Sequence, residues 1–218
     1  MQTTARLIRI PPLDLGAELR APSDPLGLVI FAHGSGSSRF SPRNQAVAQA
    51  LVDAGFATLL LDLLTDTEAA QRENVFDIDL LGERLVHAID WAGDEPDLSR
   101  LPIGLFGAST GTGAAMRAAA ARPDPVRAIV SRGGRPDLAG DALVVLRVPT
   151  LLIVGGRDEP VIELSRRAMR QMSAPVKLEI VPGATHLFEE PGTLEAVIRL
   201  AIDWYGAYLH APTRAGLS

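Results

Sequence analysis

Cysteine is absent from all 218 residues. That absence excludes disulfides, thiolate nucleophiles, Cys-ligated zinc and iron–sulfur clusters. Lysine is nearly absent as well: of 21 basic residues, only Lys177 is not an arginine. The net charge is −5, so the broad basic field that nucleic acid or anionic lipid requires is missing, and neither is expected as a partner. Arginine keeps its charge when partly buried and pairs bidentately with anions, which leaves local anion recognition open. The opening MQTTARLIRIPPLDL lacks the uninterrupted apolar core of a signal peptide. The least polar stretch, residues 101–116, is cut by Gly104, Gly107, Gly111 and Gly113 and does not read as a membrane span. Internal repeats and low-complexity linkers are also lacking. What is present is ordinary globular composition, 47% hydrophobic and 22% charged, and the expectation is a single cytoplasmic domain over residues 1–218.

Residues 7–10 and 17–19 bracket Pro11 and Pro12 and read as a hairpin-like pair of edge strands. The runs GLVIFA (27–32), ATLLL (57–61), PIGLF (102–106), VRAIV (126–130), TLLIV (150–154) and VKLEIV (176–181) are too continuous for half-exposed strands. Strands buried on both faces of a parallel sheet read this way. Helical patterns fall between them at 42–54, 75–92, 110–121, 159–172 and 194–209. The first has Ser41 as its expected N-cap and Pro42 at the first helical position. This alternation predicts an α/β fold: a mostly parallel, eight-stranded sheet covered by helices on both faces, with function in the loops at the carboxyl ends of its strands.

Three of those loops carry a serine, an acid and a histidine. Gly107-Ala108-Ser109-Thr110-Gly111 joins PIGLF to a small-residue helix, and G-x-S-x-G in that setting is a nucleophile elbow. Ser109 sits at the tip, and the helix amides behind it face developing negative charge. A phosphate-binding loop is the competing reading, but neither G-x-G-x-x-G nor G-x-x-x-x-G-K-[ST] is present. Asp158 follows TLLIV; it can orient a histidine or cap the next helix, with Glu159 in reserve. His186 follows VKLEIV and alone among four histidines lies in a loop after a late strand. His87 falls on a helix off its apolar stripe, His210 in the tail, and His33 at a strand end where it is expected to brace a loop. The order Ser109, Asp158, His186 is one of three familiar triad orders, each member following its own strand. After GLVIFA, the turn His33-Gly34-Ser35-Gly36-Ser37-Ser38 is placed to supply a second oxyanion amide beside that of Thr110; Ser35 is the choice and Gly36 the alternative.

Together VIFAHGSGSSRFSPRN, GLFGASTG, VSRGGRPDLAG, TLLIVGGRDEPV and VPGATHLFEEPG resemble an α/β-hydrolase, and more narrowly the small, lidless dienelactone-hydrolase-like serine hydrolases. The resemblance implies the three-layer α/β-hydrolase fold and a Ser109–His186–Asp158 acyl-enzyme mechanism on ester substrates. It implies no metal and no cofactor. Dienelactone hydrolase itself uses a cysteine, where this chain has Ser109. Only residues 131–149 separate the sixth and seventh predicted strands, room for one short helix and no lid, which suits short acyl esters. Gly36 and Arg132 are the expected substrate-binding residues. Arg132 and Arg135 are predicted at the mouth of the site, facing either an anionic substrate group or surface ion pairs with Asp137 or Asp141; Arg39 and Arg43 carry the same alternatives. A thioesterase, acyltransferase or peptidase would use the same triad, and a binding module on the fold would need none of it. Oligomeric state is not legible in the chain.

Overall fold

The computed structural model describes residues 3–209, so His210 and the tail lie outside the described residues. Strands β1 (Thr3–Ile10) and β2 (Leu15–Pro22) form an antiparallel hairpin, and β2 also pairs antiparallel with β4 (Ala57–Leu61). Strands β3 (Leu28–Ala32), β5 (Ile103–Ala108), β6 (Val126–Arg132), β7 (Thr150–Gly155) and β8 (Val176–Val181) run parallel to β4 or to one another. The resulting eight-stranded sheet has the order β1-β2-β4-β3-β5-β6-β7-β8.

Two expectations about the sheet change. Only β1 is an edge at that end, because β2 is hydrogen-bonded on both sides. At the other end β8 is an edge, with Lys177 and Ile180 exposed and Glu179 half-buried where the sequence predicts full burial. The other four parallel runs up to β6, and β7, are buried almost residue for residue.

Helices α1 (Pro42–Asp53) and α8 (Thr193–Tyr208) cover one face. There Val47, Leu51, Val197, Ala201 and Tyr205 pack with Val29, Phe31, Leu60, Phe106, Val130 and Ile153. Alternate residues of the same strands point the other way, as the period of two requires. Leu28, Ile30, Leu59, Leu105, Ile129 and Leu152 pack with α4 (Ile78–Asp94) and α5 (Gly111–Ala121) through Leu81, Leu85, Ala88, Ala115 and Ala118. Ser41 caps α1 as expected, its side chain accepting from Asn44 N–H.

The helix expected over 75–92 is broken. Asp77 accepts from Leu80 N–H and starts α4 afresh, leaving α3 (Arg72–Phe76) as a separate turn behind α2 (Asp66–Ala69). Neither α2 nor α3 buries a residue, but Glu68 ties α2 down through Arg84 of α4 at 2.8 Å. Between β6 and β7 stand a 3-10 turn (Pro136–Ala139) and the one-turn α6 (Ala142–Val145), with no lid. Helix α7 (Glu159–Met169) precedes β8. Among the described residues, no helix is long and apolar enough to cross a membrane.

Candidate active site

Ser109 occupies the turn between β5 and α5 with φ of +51°. A non-glycine residue there stores roughly 1–3 kcal/mol of backbone strain. Hydrogen bonds on both sides hold it: Ser109 N–H donates to Arg132 O at 3.3 Å, and Ser109 O accepts from Arg135 N–H at 3.0 Å and Thr112 N–H at 3.1 Å. The flanking glycines are requirements of space. A Cβ on Gly111 would fall 2.2 Å from Ala32 O, and one on Gly107 would fall 2.6 Å from the Thr112 Cα. Beneath the elbow, Thr112 and Ser131 hydroxyls share a buried hydrogen bond of 2.9 Å.

Asp158 stands at the N-cap position of α7, yet its side chain makes no cap hydrogen bond. Its Oδ2 instead accepts from His186 Nδ1 at 2.6 Å. Of the two roles open to an acid at this position, orienting the histidine is the one the geometry selects. Asp158 is 12% exposed and His186 40%, so the acid lies beneath the ring and the ring reaches solvent. The donating Nδ1 leaves Nε2 as the basic nitrogen. The histidine loop is pinned at its base: Thr185 N–H donates to Glu190 Oε2 at 3.0 Å, and that bond holds the Glu190 carboxyl below its usual pKa.

The turn from His33 to Ser38 lies against the elbow. Ser35 N–H donates to Thr110 Oγ1 at 2.9 Å, which ties the two candidate oxyanion residues together. His33 braces the turn as expected. Its Nδ1–H donates to Gly34 O at 3.0 Å and its Nε2 accepts from Leu63 N–H at 3.2 Å. Accepting at Nε2 requires the neutral ring, and burial pushes the His33 pKa down. Arg39 anchors the far end of the turn, its amide donating to Asp62 Oδ1 at 2.8 Å and its guanidinium pairing with the same carboxylate.

Ser109 and His186 line one open cleft of about 670 Å³ with Gly34, Ser35, Gly36, Arg43, Asn44 and Arg132. Among the described residues Ser109 Oγ forms no hydrogen bond to His186, so this contact is open, as is common before a substrate is bound. Gly36 borders the cleft with φ of +69°.

The arginines separate into two kinds. Arg135 is paired with Asp137 at 2.7 Å, Arg39 with Asp62, and Arg43 with Glu189 at 3.1 Å, all as ion pairs. Arg132 departs from both of its expected surface pairings: it is buried, 8% exposed, and bonds neither Asp137 nor Asp141. Its Nη2 donates to Asn44 Oδ1 at 3.2 Å, while Nε and Nη1 are buried without a partner among the described residues. The reason is register: Arg132 ends β6 opposite Ala108, and its side chain turns under the start of α1. Asn44, Thr112, Ser131 and Glu190 carry no motif that marks them in the sequence. Among the described residues, no group of three or more His, Asp or Glu side chains is placed to hold a metal ion.

Residues 15–206 match the Dienelactone hydrolase family. A dienelactone hydrolase structure from Anabaena variabilis superposes with a TM-score of 0.91 at 52% identity, covering 96% of this chain and 99% of that one. Est1E from Butyrivibrio proteoclasticus shares the fold, with a TM-score of 0.75 at 20% identity over 93% of this chain and 99% of its own. The Mycobacterium tuberculosis H37Rv protein named "Putative phosphoribosyl transferase Rv0571c" is 57% identical over 205 residues, 94% of this chain. That match takes in 46% of the relative, so the chain spans about half the length of the curated relatives it matches.

Proposed function

The chain belongs to the dienelactone hydrolase family, and we propose that within it this protein is a serine hydrolase of short-chain carboxylic esters. The observation that carries the reading is the Asp158 carboxylate at the head of α7, bonded at 2.6 Å to His186 in place of its own helix. A histidine so oriented, sharing a cleft with a serine held at positive φ, is arranged for proton transfer from that serine.

In this reaction His186 Nε2 takes the proton from Ser109 Oγ as the oxygen attacks the acyl carbonyl. The new C–O bond leaves a tetrahedral oxyanion. Thr110 N–H donates to it from the N-cap of α5. Ser35 N–H supplies the second bond by turning from Thr110 Oγ1, because an anionic acceptor outcompetes a neutral hydroxyl. Collapse expels the alcohol, which receives the proton from His186. Water, deprotonated by the same nitrogen, attacks the acyl-serine, and the carboxylic acid leaves as Ser109 recovers its proton. Asp158 stabilises the imidazolium in both halves. The chemistry draws on no metal or cofactor. The open cleft and the absence of a lid between β6 and β7 favour short acyl groups.

The phosphoribosyl transferase name belongs to proteins more than twice as long as the matched segment, and it is not carried over to this chain. Labelling by a fluorophosphonate probe tests the hydrolase reading. Wild type is expected to label and Ser109→Ala to stay unlabelled; equal labelling of both refutes it. Among p-nitrophenyl esters, activity is expected to peak at short acyl chains, and a peak at long chains refutes that part.

A further inference from the structure

Thr110 opens α5 at the position where a threonine ordinarily caps a helix, yet its side chain makes no cap hydrogen bond. The amides it would cap are taken by the backbone: Thr112 N–H donates to Ser109 O and Gly113 N–H to Thr110 O, both at 3.1 Å. With φ of −58° and ψ of −30° the residue is itself helical, outside the extended geometry that capping side chains adopt. Its Oγ1 accepts instead from Ser35 N–H at 2.9 Å.

That bond uses the oxygen alone. Thr110 is buried, 6% exposed, and among the described residues its hydroxyl proton has no acceptor. A buried donor left unmatched is costly. Holding the Ser35 amide calls only for an acceptor, so the tie does not account for the proton.

The hydroxyl also lies beside the reacting atom. The turn presses on the elbow so closely that a Cβ on Gly34 would fall 2.9 Å from Ser109 Cβ and 3.6 Å from Ser109 Oγ. Ser35 follows Gly34 on one side of this contact, and Thr110 follows Ser109 on the other. Two donors 2.9 Å apart both reach a single oxygen at ordinary hydrogen-bond lengths, the three atoms forming a nearly equilateral triangle.

Resting on the serine-hydrolase reading, we propose that the Thr110 hydroxyl is a third oxyanion donor, beside the amides of Thr110 and Ser35. In the resting protein Oγ1 accepts from Ser35 N–H. As the tetrahedral intermediate forms, its oxyanion accepts from Ser35 N–H and from the Thr110 hydroxyl together. One neutral bond is exchanged for two charge-assisted ones, and no proton leaves the atom that carries it. The donors stand in place before substrate arrives, so little reorganisation is needed during the reaction.

Kinetics with p-nitrophenyl acetate and the crystal structure of a phosphonate adduct test this. Thr110→Val keeps the shape, loses the hydroxyl and is expected to lower kcat/KM on the order of 10²-fold, the worth of one such donor. Thr110→Ser is expected to recover most of that loss. Ser35→Pro removes the amide proton that Thr110 holds, and on that background Thr110→Val is still expected to cost about tenfold or more. A hydroxyl that merely held the Ser35 amide would cost nothing further there. Wild type labelled with a fluorophosphonate needs no variant to fold: the phosphoryl oxygen on Ser109 is expected within about 3 Å of Thr110 Oγ1. A separation beyond about 3.5 Å, an undiminished kcat/KM in Thr110→Val, or a Thr110→Val effect that vanishes beside Ser35→Pro overturns the proposal and leaves the hydrolase reading in place. Absence of both turnover and labelling in wild type, or equal labelling of Ser109→Ala, overturns the hydrolase reading itself.

Discussion

The turn from Gly34 to Ser38 has two unlike sides. On one lies the cleft of Ser109, His186, Arg43 and Arg132. On the other lies a smaller cavity of about 200 Å³ lined by Leu64, Ala69, Val75 and Leu81, whose charged groups are Asp62 and Asp66. Cations face one side and carboxylates the other, across five residues of backbone. The difference teaches that the turn proposed to supply an oxyanion amide is also a charge boundary. It is stiffened from the carboxylate side, by Asp62 and Leu63, and faces Ser109 and His186 on the cationic side.

Substitutions of the proposed catalytic residues on the cleft side should have the largest effect. Ser109→Ala is expected to lower kcat on any ester by on the order of 10⁴–10⁶-fold. Asp158→Asn should keep the fold and cost about 10⁴-fold through the wrong histidine tautomer. Steady-state kinetics with folding checked by circular dichroism measures both; a loss below tenfold for Ser109→Ala would remove it from the reaction. Substitution on the cavity side should act differently. Val75→Trp fills the cavity and, if acyl chains reach it past the turn, is expected to lower kcat/KM for the longest accepted chain about tenfold, as a pocket altered by a few carbons does. Turnover of acetyl esters should not change, and if it does the two sides are not separate. Ionic strength gives a milder probe: raising salt from low to about 0.5 M should slow anionic esters severalfold and spare neutral ones, because screening shortens the reach of the arginines.

The smallest effect concerns the bracing itself. His33 is neutral in the fold with its pKa below the ordinary 6.5. As pH falls through about 6.5 the unfolded chain binds a proton that the native state refuses, so stability is full above that pH and declines below it. His33→Gln cannot titrate. It should lose about 1–2 kcal/mol at pH 8 through poorer bonds to Gly34 and Leu63, and show a shallower decline between pH 7 and 5 in urea unfolding. An unchanged slope would mean that other groups carry the acid sensitivity.

The elements closest to the chemistry were the most legible. Gly107 and Gly111 are demanded by contacts of 2.6 and 2.2 Å, so the elbow writes itself into the residue types. The order of Ser109, Asp158 and His186 follows the order of strands, which a linear reading can recover. Asp158 alone was ambiguous, because a helix cap and a histidine partner use the same residue; only the fold brings His186 to 2.6 Å. The break at Asp77 escaped because apolar spacing runs across it from Val75 into α4, and a single capping side chain outweighs that periodicity. The continuous run of β8 suggests full burial although Lys177 and Glu179 alternate in it; being an edge is a property of sheet order, which no strand states about itself. Arg132 is the sharpest case. Its burial depends on Asn44, on a helix far away in the chain, and nothing in SRGGRPD separates it from the surface-paired Arg135.

Trapping the covalent intermediate is the most direct trial of the central claim. Protein quenched in acid during turnover of p-nitrophenyl acetate and digested for mass spectrometry should carry one acetyl group, on the peptide containing Ser109, and Ser109→Ala should carry none. Turnover that persists in Ser109→Ala, or an acetyl group on another residue that survives in Ser109→Ala, would contradict the serine mechanism.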